Sequence, residues 1–141
     1  MSDHSIWLSP AHDDLIFLET IVRDLSKRFH SPAFEPHATL VPDMNCSAEA
    51  LLPQVKSLAI GHKPLELTID DVTGSEAYFR SFYAALEKAP ALTRLKQDSL
   101  EISGEASLQS FMPHVSLAYG VDDSTIKHLS LIHISEPTRP Y

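Results

Sequence analysis

The amino-acid sequence predicts an α+β domain, with helices packed on antiparallel sheets, and three observations lead to this class. The chain has 141 residues, enough for a single domain that buries a hydrophobic core without disulfides or a structural metal. Its apolar residues recur at helical spacing in some segments and alternate as in strands in others. These segments follow the order β-α-β-α-β-β-α-β, which is typical of helices layered on antiparallel sheets.

Residues 4–29 indicate the first strand and the first helix. The apolar run from Ile6 to Leu8 is short, and it ends at Ser9, a good N-cap, followed by Pro10, which suits the first helical position. The next apolar residues are spaced three or four apart on one helical stripe: Leu15, Leu18, Val22, Leu25 and Phe29. We expect this stripe to face the core.

The rest of the chain predicts four more strands and two more helices. Side chains alternate from Pro36 to Val41 as in a strand, and Ser47–Gly61 has the apolar spacing of a helix. Leu65–Ile69 alternates as a strand that pairs with the aromatic-rich run Tyr78–Leu86, although the spacing in that run also fits a helix. The last two elements are a weaker helix and a short strand: Ala89–Ile102 and Phe111–Tyr119.

Composition and charge exclude several functional classes. The 19 acidic and 11 basic residues give a net charge of −8, which would repel a long nucleic acid but is compatible with a small nucleotide in one pocket. Cys46 is the only cysteine, so an intramolecular disulfide and a cysteine zinc site are excluded and a reducing compartment is indicated. The N-terminus lacks a secretory signal pattern, and no window approaches the roughly 20 apolar residues of a membrane span. We therefore expect a soluble protein.

One block of seven residues occurs twice. Phe34–Leu40 and Phe111–Leu117 share the pattern F-x-P-H-x-[ST]-L, with His37 and His114 at the same position. On a strand, residues two apart lie on the same side at about 7 Å. Each histidine should therefore face one cavity together with its hydroxyl partner, Thr39 or Ser116, while the leucines face the core.

Two imidazoles and two hydroxyls in one cleft suit phosphodiester hydrolysis without a metal. One neutral histidine takes a proton from the attacking water, and the other, protonated, gives a proton to the leaving oxygen. Thr39 and Ser116 would hold the nonbridging oxygens as negative charge develops. A single strand histidine is usually an ordinary surface residue, but the duplication with matched flanks favours the catalytic interpretation for His37 and His114.

The other histidines show no metal-ligand spacing, and we expect neither a metal site nor a cofactor. They are His4, His12, His30, His62, His128 and His133.

The two motifs resemble those of the two-histidine phosphoesterase superfamily, whose signature is a pair of H-x-[ST]-hydrophobic motifs, one from each lobe of a pseudo-symmetric fold. Within it, the sequence is most similar to the cyclic phosphodiesterases of plants and fungi. Their Trp in the first strand, F-x-P-H-x-T block, strand hairpin and M-P-H-x-S-L-x-Y segment match Trp7, Phe34–Thr39, Thr73–Leu86 and Met112–Tyr119. The resemblance covers most of residues 4–123.

This resemblance implies a bilobal α+β fold with a central cleft. It also implies a metal-independent enzyme that acts on small cyclic nucleotides and not on a long nucleic acid. Such enzymes open 2′,3′-cyclic nucleotides to 2′-phosphates and convert ADP-ribose 1″,2″-cyclic phosphate, a by-product of tRNA splicing, to ADP-ribose 1″-phosphate. It also implies that Trp7 and Tyr119 line the pocket, where aromatic faces can stack on a base; core packing is the alternative for both. We expect a cytoplasmic monomer. The resemblance to fungal enzymes also allows peripheral association with an endomembrane such as the Golgi.

The chain departs from the family after the second motif, where family members continue with a further helix and strands. Residues 129–139 resemble the translation of a sequencing adapter. We therefore expect a single bilobal domain over residues 1–128 with an incomplete second lobe, followed by a non-native read-through tail over residues 129–141. Without closing elements, the strand that carries His114 would lack a neighbour.

Two other functions are compatible with the same motifs. One is an RNA-end phosphodiesterase or a 2′,5′-linkage enzyme, against which the acidic balance and the short chain argue. The other is a nucleotide-binding protein without turnover. The sequence does not determine which histidine is the base or which nucleobase is preferred.

Overall fold

The structure is a computed structural model that describes residues 3–75, 78–104, 111–120 and 138–140. Predictions that concern His128, His133 and residues 129–137 lie outside these ranges. The strands are β1 (Asp3–Leu8), β2 (Ala38–Asn45), β3 (Glu66–Thr73), β4 (Phe82–Leu86), β5 (His114–Ala118) and β6 (Thr138–Pro140). The helices are α1 (His12–Phe29), α2 (Ala48–Ile60) and α3 (Pro90–Ser103), and Tyr78–Arg80 forms a 3₁₀ turn.

The strands form an open antiparallel sheet in the order β1-β2-β5-β4-β3, with β6 beside β3 at one edge. Among the described residues, one register pair, Ala38 opposite Val115, joins β2 to β5, whereas the other neighbours within the five strands pair over several residues. The sheet therefore consists of two parts, β1–β2 and β5–β4–β3, that meet at the repeated blocks. The predicted α+β class is confirmed, and the eight predicted elements occur in the predicted order, followed by β6. The expectation that the strand carrying His114 lacks a neighbour is wrong, because β5 pairs with β2 on one side and with β4 on the other.

Two apolar clusters form the core, and each contains the leucine of one repeated block. Leu117 packs in a cluster with Leu18 and Leu25 from the predicted stripe of α1, and Leu40 packs in a second cluster with Ile6 and other residues. Leu40 and Leu117 are both 2% exposed, as the strand alternation predicts. Their burial fixes which face of each strand is left for the cavity.

The ends of the elements differ in part from the sequence predictions. The predicted N-cap at Ser9 is wrong, because α1 begins at His12 with Ala11 as its cap and without a side-chain cap bond. Asp13 and Asp14 in the first turn provide the negative charge that the helix dipole favours there. Ser47 caps α2 by accepting a hydrogen bond from the Ala50 N–H at 3.1 Å.

The aromatic-rich run that fitted both a strand and a helix contains some of each. Its first residues form the 3₁₀ turn, and its remainder is β4, which pairs with β3. None of the helices within the described ranges is both long enough and apolar enough to cross a bilayer.

The 3₁₀ turn is fixed against the end of β5 at Gly120. The Gly120 N–H donates to the Tyr78 carbonyl at 2.9 Å, its φ is +64°, and a Cβ at this position would lie 2.6 Å from Tyr78 Cε2. Left-handed backbone disfavours a side chain, and here the neighbouring ring would clash with it as well.

We predict that Gly120→Ala lowers the free energy of unfolding by more than Gly104→Ala does, measured by urea denaturation. Gly104, at φ +74°, has no atom within 4 Å of a Cβ, so its substitution should cost only the backbone strain of about 1–2 kcal/mol. Gly61, at φ −76° in ordinary helical geometry, is the control and should tolerate alanine. Equal losses at Gly104 and Gly120 would contradict the predicted clash with Tyr78.

Candidate active site

The two repeated blocks meet at a cavity of about 340 Å³. Every site residue predicted from the sequence lines it: Trp7, His37, Thr39, His114, Ser116 and Tyr119. Other cavities are larger, and one of about 650 Å³ is lined mainly by apolar side chains. We take the cavity of about 340 Å³ as the candidate active site because both motif histidines line it.

Strand geometry brings the two motifs together. His37 immediately precedes β2, and His114 is the first residue of β5. Ala38 lies opposite Val115 in an antiparallel pair. His37 is therefore on the side of Ser116, and Thr39 is on the side of His114. Each histidine thus approaches the hydroxyl residue of the other motif.

Each imidazole is oriented by the same backbone hydrogen bond. Nδ1 of His37 donates to the Glu35 carbonyl, and Nδ1 of His114 donates to the Met112 carbonyl, each at 2.8 Å. A carbonyl oxygen can only accept, so Nδ1 carries the proton in both rings. In the neutral rings Nε2 is then the atom that can accept or transfer a proton.

The prolines of the blocks restrict the residue that supplies each of these carbonyls, and the sequence interpretation gave them no part in the site. Pro36 and Pro113 separate each histidine from the residue whose carbonyl it contacts. Both prolines are buried, and the residue before a proline is restricted to extended backbone. Their repetition at the same position in both blocks was the sequence signal that could have identified them.

The surroundings of the two imidazoles differ. Trp7 in β1 stacks on His37 with ring centroids 3.5 Å apart and an interplanar angle of 9°, whereas Tyr83 meets His114 edge-on at 5.4 Å. Burial lowers the pKa of His37 below its usual 6.5, and the carbonyl and charge of Glu35 oppose this shift. Trp7 is 45% exposed, so it lies outside the core, but one of its ring faces is occupied by His37.

The two hydroxyls also differ. Thr39 is partly buried, and Ser116 is 8% exposed and donates its proton to the Phe79 carbonyl at 2.5 Å. A hydroxyl has one proton, so Ser116 can donate to a phosphate oxygen only after its O–H rotates away from Phe79.

Three aromatic rings on one side of the cavity, with Tyr78 packed against two of them, form one cluster, and the sequence interpretation identified only Tyr119 among its members. The Tyr119 ring stacks on Phe34 with centroids 3.8 Å apart and meets Phe79 edge-on with centroids 5.0 Å apart. The centroid of the Tyr78 ring lies 6.0 Å from that of Tyr119. Burial and the neighbouring Tyr78 raise the pKa of Tyr119 above 10.0. We call these rings (Phe34, Tyr78, Phe79 and Tyr119) the aromatic wall. Phe34 could have been found from its place in the repeated block, but Tyr78 and Phe79 lie in the turn whose structure the sequence left open.

Among the described residues, no group of three or more His, Cys, Asp or Glu side chains is arranged to hold a metal ion.

We predict that His37 titrates with a midpoint below 6.5, because burial disfavours the imidazolium. Since the unfolded chain binds this proton at higher pH than the folded chain, His37 should reduce stability as the pH falls through 6.5. NMR titration of the imidazole C–H signals, assigned with His37→Gln, gives the midpoint. Urea denaturation should show the wild type losing more stability than His37→Gln as the pH falls. A midpoint at or above 6.5 would contradict the prediction.

The comparisons with known proteins agree with these motifs. No curated protein matches the chain. The family model described as "Cyclic phosphodiesterase-like protein" matches residues 1–138, which include both repeated blocks and the whole candidate site. The match also includes residues 129–138, so the read-through tail stays a prediction. The resemblance drawn from the two histidine motifs is confirmed, and the chain belongs to the cyclic phosphodiesterase-like protein family.

Proposed function

We propose that the protein hydrolyses 2′,3′-cyclic nucleotides to nucleoside 2′-phosphates without a metal. In this proposal it also hydrolyses ADP-ribose 1″,2″-cyclic phosphate, a by-product of tRNA splicing, to ADP-ribose 1″-phosphate. The family indicates a cyclic phosphodiesterase in general. The observation that carries the finer proposal is the pair of motif imidazoles, each with Nδ1 donating to a carbonyl, on one cavity. That arrangement suits one proton acceptor and one proton donor across a phosphodiester.

The proposed reaction is a single displacement at phosphorus. One neutral imidazole accepts a proton from water at Nε2 while the water oxygen bonds to phosphorus. The bond from phosphorus to O3′ breaks, and the other imidazole, protonated, gives its Nε2 proton to O3′. The proton removed by the base balances the one given by the acid, and the product is the 2′-phosphate. Burial lowers the pKa of His37, which favours the neutral form that a base requires.

The remaining side chains supply binding. Thr39 and Ser116 line the same cavity, and in this proposal they hold the nonbridging oxygens, Ser116 after exchanging its bond to Phe79 for one to phosphate. Trp7 and Tyr119 present aromatic surface at the same cavity. Its volume of about 340 Å³ falls in the usual range for small-molecule sites, and the net charge of −8 disfavours a long nucleic acid.

We predict that the protein converts 2′,3′-cyclic AMP to the 2′-monophosphate in the presence of EDTA, as followed by phosphorus NMR. Short oligonucleotides with a 2′,3′-cyclic or 2′,5′-linked phosphate, tested in parallel, should react more slowly. Loss of turnover in EDTA that added zinc restores would contradict metal independence. Faster oligonucleotide turnover would favour an RNA-end or 2′,5′-phosphodiesterase. Thermal stabilisation by the nucleotide without any product would indicate binding alone.

We also predict that His37→Ala and His114→Ala each lower kcat by about 10²–10⁴-fold with little change in binding, because each removes a proton-transfer group. His12→Ala is the matched control, since His12 is exposed at the start of α1. Steady-state kinetics and isothermal titration with the 2′-phosphate give the two quantities. Wild-type turnover in either motif variant would overturn the two-histidine mechanism.

A further inference from the structure

A β-bulge in β2 lies directly behind the candidate active site. Ile6 in β1 is opposite Val41, but the next residue, Trp7, is opposite Thr39. Leu40 is therefore an extra residue in β2, and it has no counterpart in this register. An extra residue of this kind interrupts the ladder and redirects the neighbouring side chains.

The bulge interrupts the alternation of side chains in β2 next to the cavity. Leu40 and Val41 are consecutive, yet they are 2% and 0% exposed and belong to the same core cluster, while Thr39 lines the cavity. A regular strand would place consecutive side chains on opposite faces. The position of Thr39 opposite Trp7, and of His37 two residues earlier, thus depends on keeping the extra residue at Leu40.

A buried lysine holds this bulge. Lys96 on α3 is 2% exposed, and its Nζ donates to the Leu40 carbonyl at 2.7 Å. The same ammonium lies 5.2 Å from the centroid of the Phe111 ring, within the range of a cation–π interaction. Leu40 is the last residue of the first repeated block and Phe111 is the first residue of the second. One side chain therefore contacts both blocks from the core side.

We propose that Lys96 is a positioning residue of the active site, which fixes the β2 bulge through the Leu40 carbonyl and joins it to the second block through the Phe111 ring. Its kinetic consequence rests on the proposed function. Burying an ammonium is costly, and an apolar side chain could fill the same space in the core, but it could not donate to the carbonyl at the bulge. Among the described residues, β2 pairs with β5 at one residue pair. The Lys96 side chain on α3 adds a second connection between the two repeated blocks.

Lys96→Met tests this proposal, because it keeps most of the side-chain volume and removes the donor and the charge. We expect kcat for 2′,3′-cyclic AMP to fall about 10²-fold, the size of effect that a small misplacement of catalytic groups produces, with KM changed by no more than about threefold. Lys96→Arg retains a charged donor and should recover most of the lost kcat. All rates are compared at a temperature where circular dichroism shows each variant to be folded.

Ser99→Ala is the matched control. Ser99 is fully buried on the same helix, but its hydroxyl donates to the Lys96 carbonyl within α3. Its substitution should lower the melting temperature and leave kcat near the wild-type value. A folded Lys96→Met protein with wild-type kcat would overturn the proposal. So would a kcat loss in Ser99→Ala equal to that in Lys96→Met, because the effect would then be one of helix stability.

NMR separates this proposal from the proposed function. The Lys96 ammonium of the wild type should give a protected ¹H–¹⁵N signal with a hydrogen-bond coupling to the Leu40 carbonyl. In Lys96→Met, but not in Ser99→Ala, the His37 imidazole signals should shift. Both results would support the positioning role even if the protein turns over no cyclic nucleotide. That absence of turnover would overturn the proposed function and leave the positioning role standing. If Lys96→Met does not fold, the wild-type ammonium signal decides: its absence overturns the proposal.

Discussion

The pairing of Ala38 with Val115 is the contact on which the candidate site depends. Within the part of the chain that the structure describes, it is the one register pair between β2 and β5, and it brings the two repeated blocks side by side in antiparallel directions. Since Leu40 and Leu117 are each drawn into a core cluster, the side chains at His37, Thr39, His114 and Ser116 are left on the cavity side. Hydrophobic burial on one face thus determines the polar composition of the other.

The two blocks have nearly the same local structure but different neighbours. In both, an exposed residue is followed by a buried proline and a partly buried histidine that donates from Nδ1 to the carbonyl two residues earlier. The differences arise from tertiary contacts: Trp7 covers His37, whereas Tyr83 meets His114 edge-on. Burial lowers the pKa of His37 below its usual value, against the opposing effect of Glu35.

Support for the site comes from elements distant in sequence. The 3₁₀ turn brings Tyr78 and Phe79 to the aromatic wall and supplies the carbonyl that accepts from Ser116. Helix α3 supplies Lys96 to the bulge in β2. Neither contribution has a signature in the sequence, because a single lysine in an amphipathic helix and an aromatic pair in a mixed run have many ordinary interpretations.

The sequence by itself determined the α+β class, the order of the first eight elements and six of the side chains that line the cavity. Alternation and helical spacing report burial, the duplication marked both histidines with their hydroxyl partners, and the family resemblance marked Trp7 and Tyr119. It did not determine the start of α1, where no side-chain cap forms, nor the bulge at Leu40. Register, ring stacking and the contacts of Lys96 were decided only in the tertiary structure. These depend on which strands become neighbours, and local residue patterns carry no information about partners far along the chain.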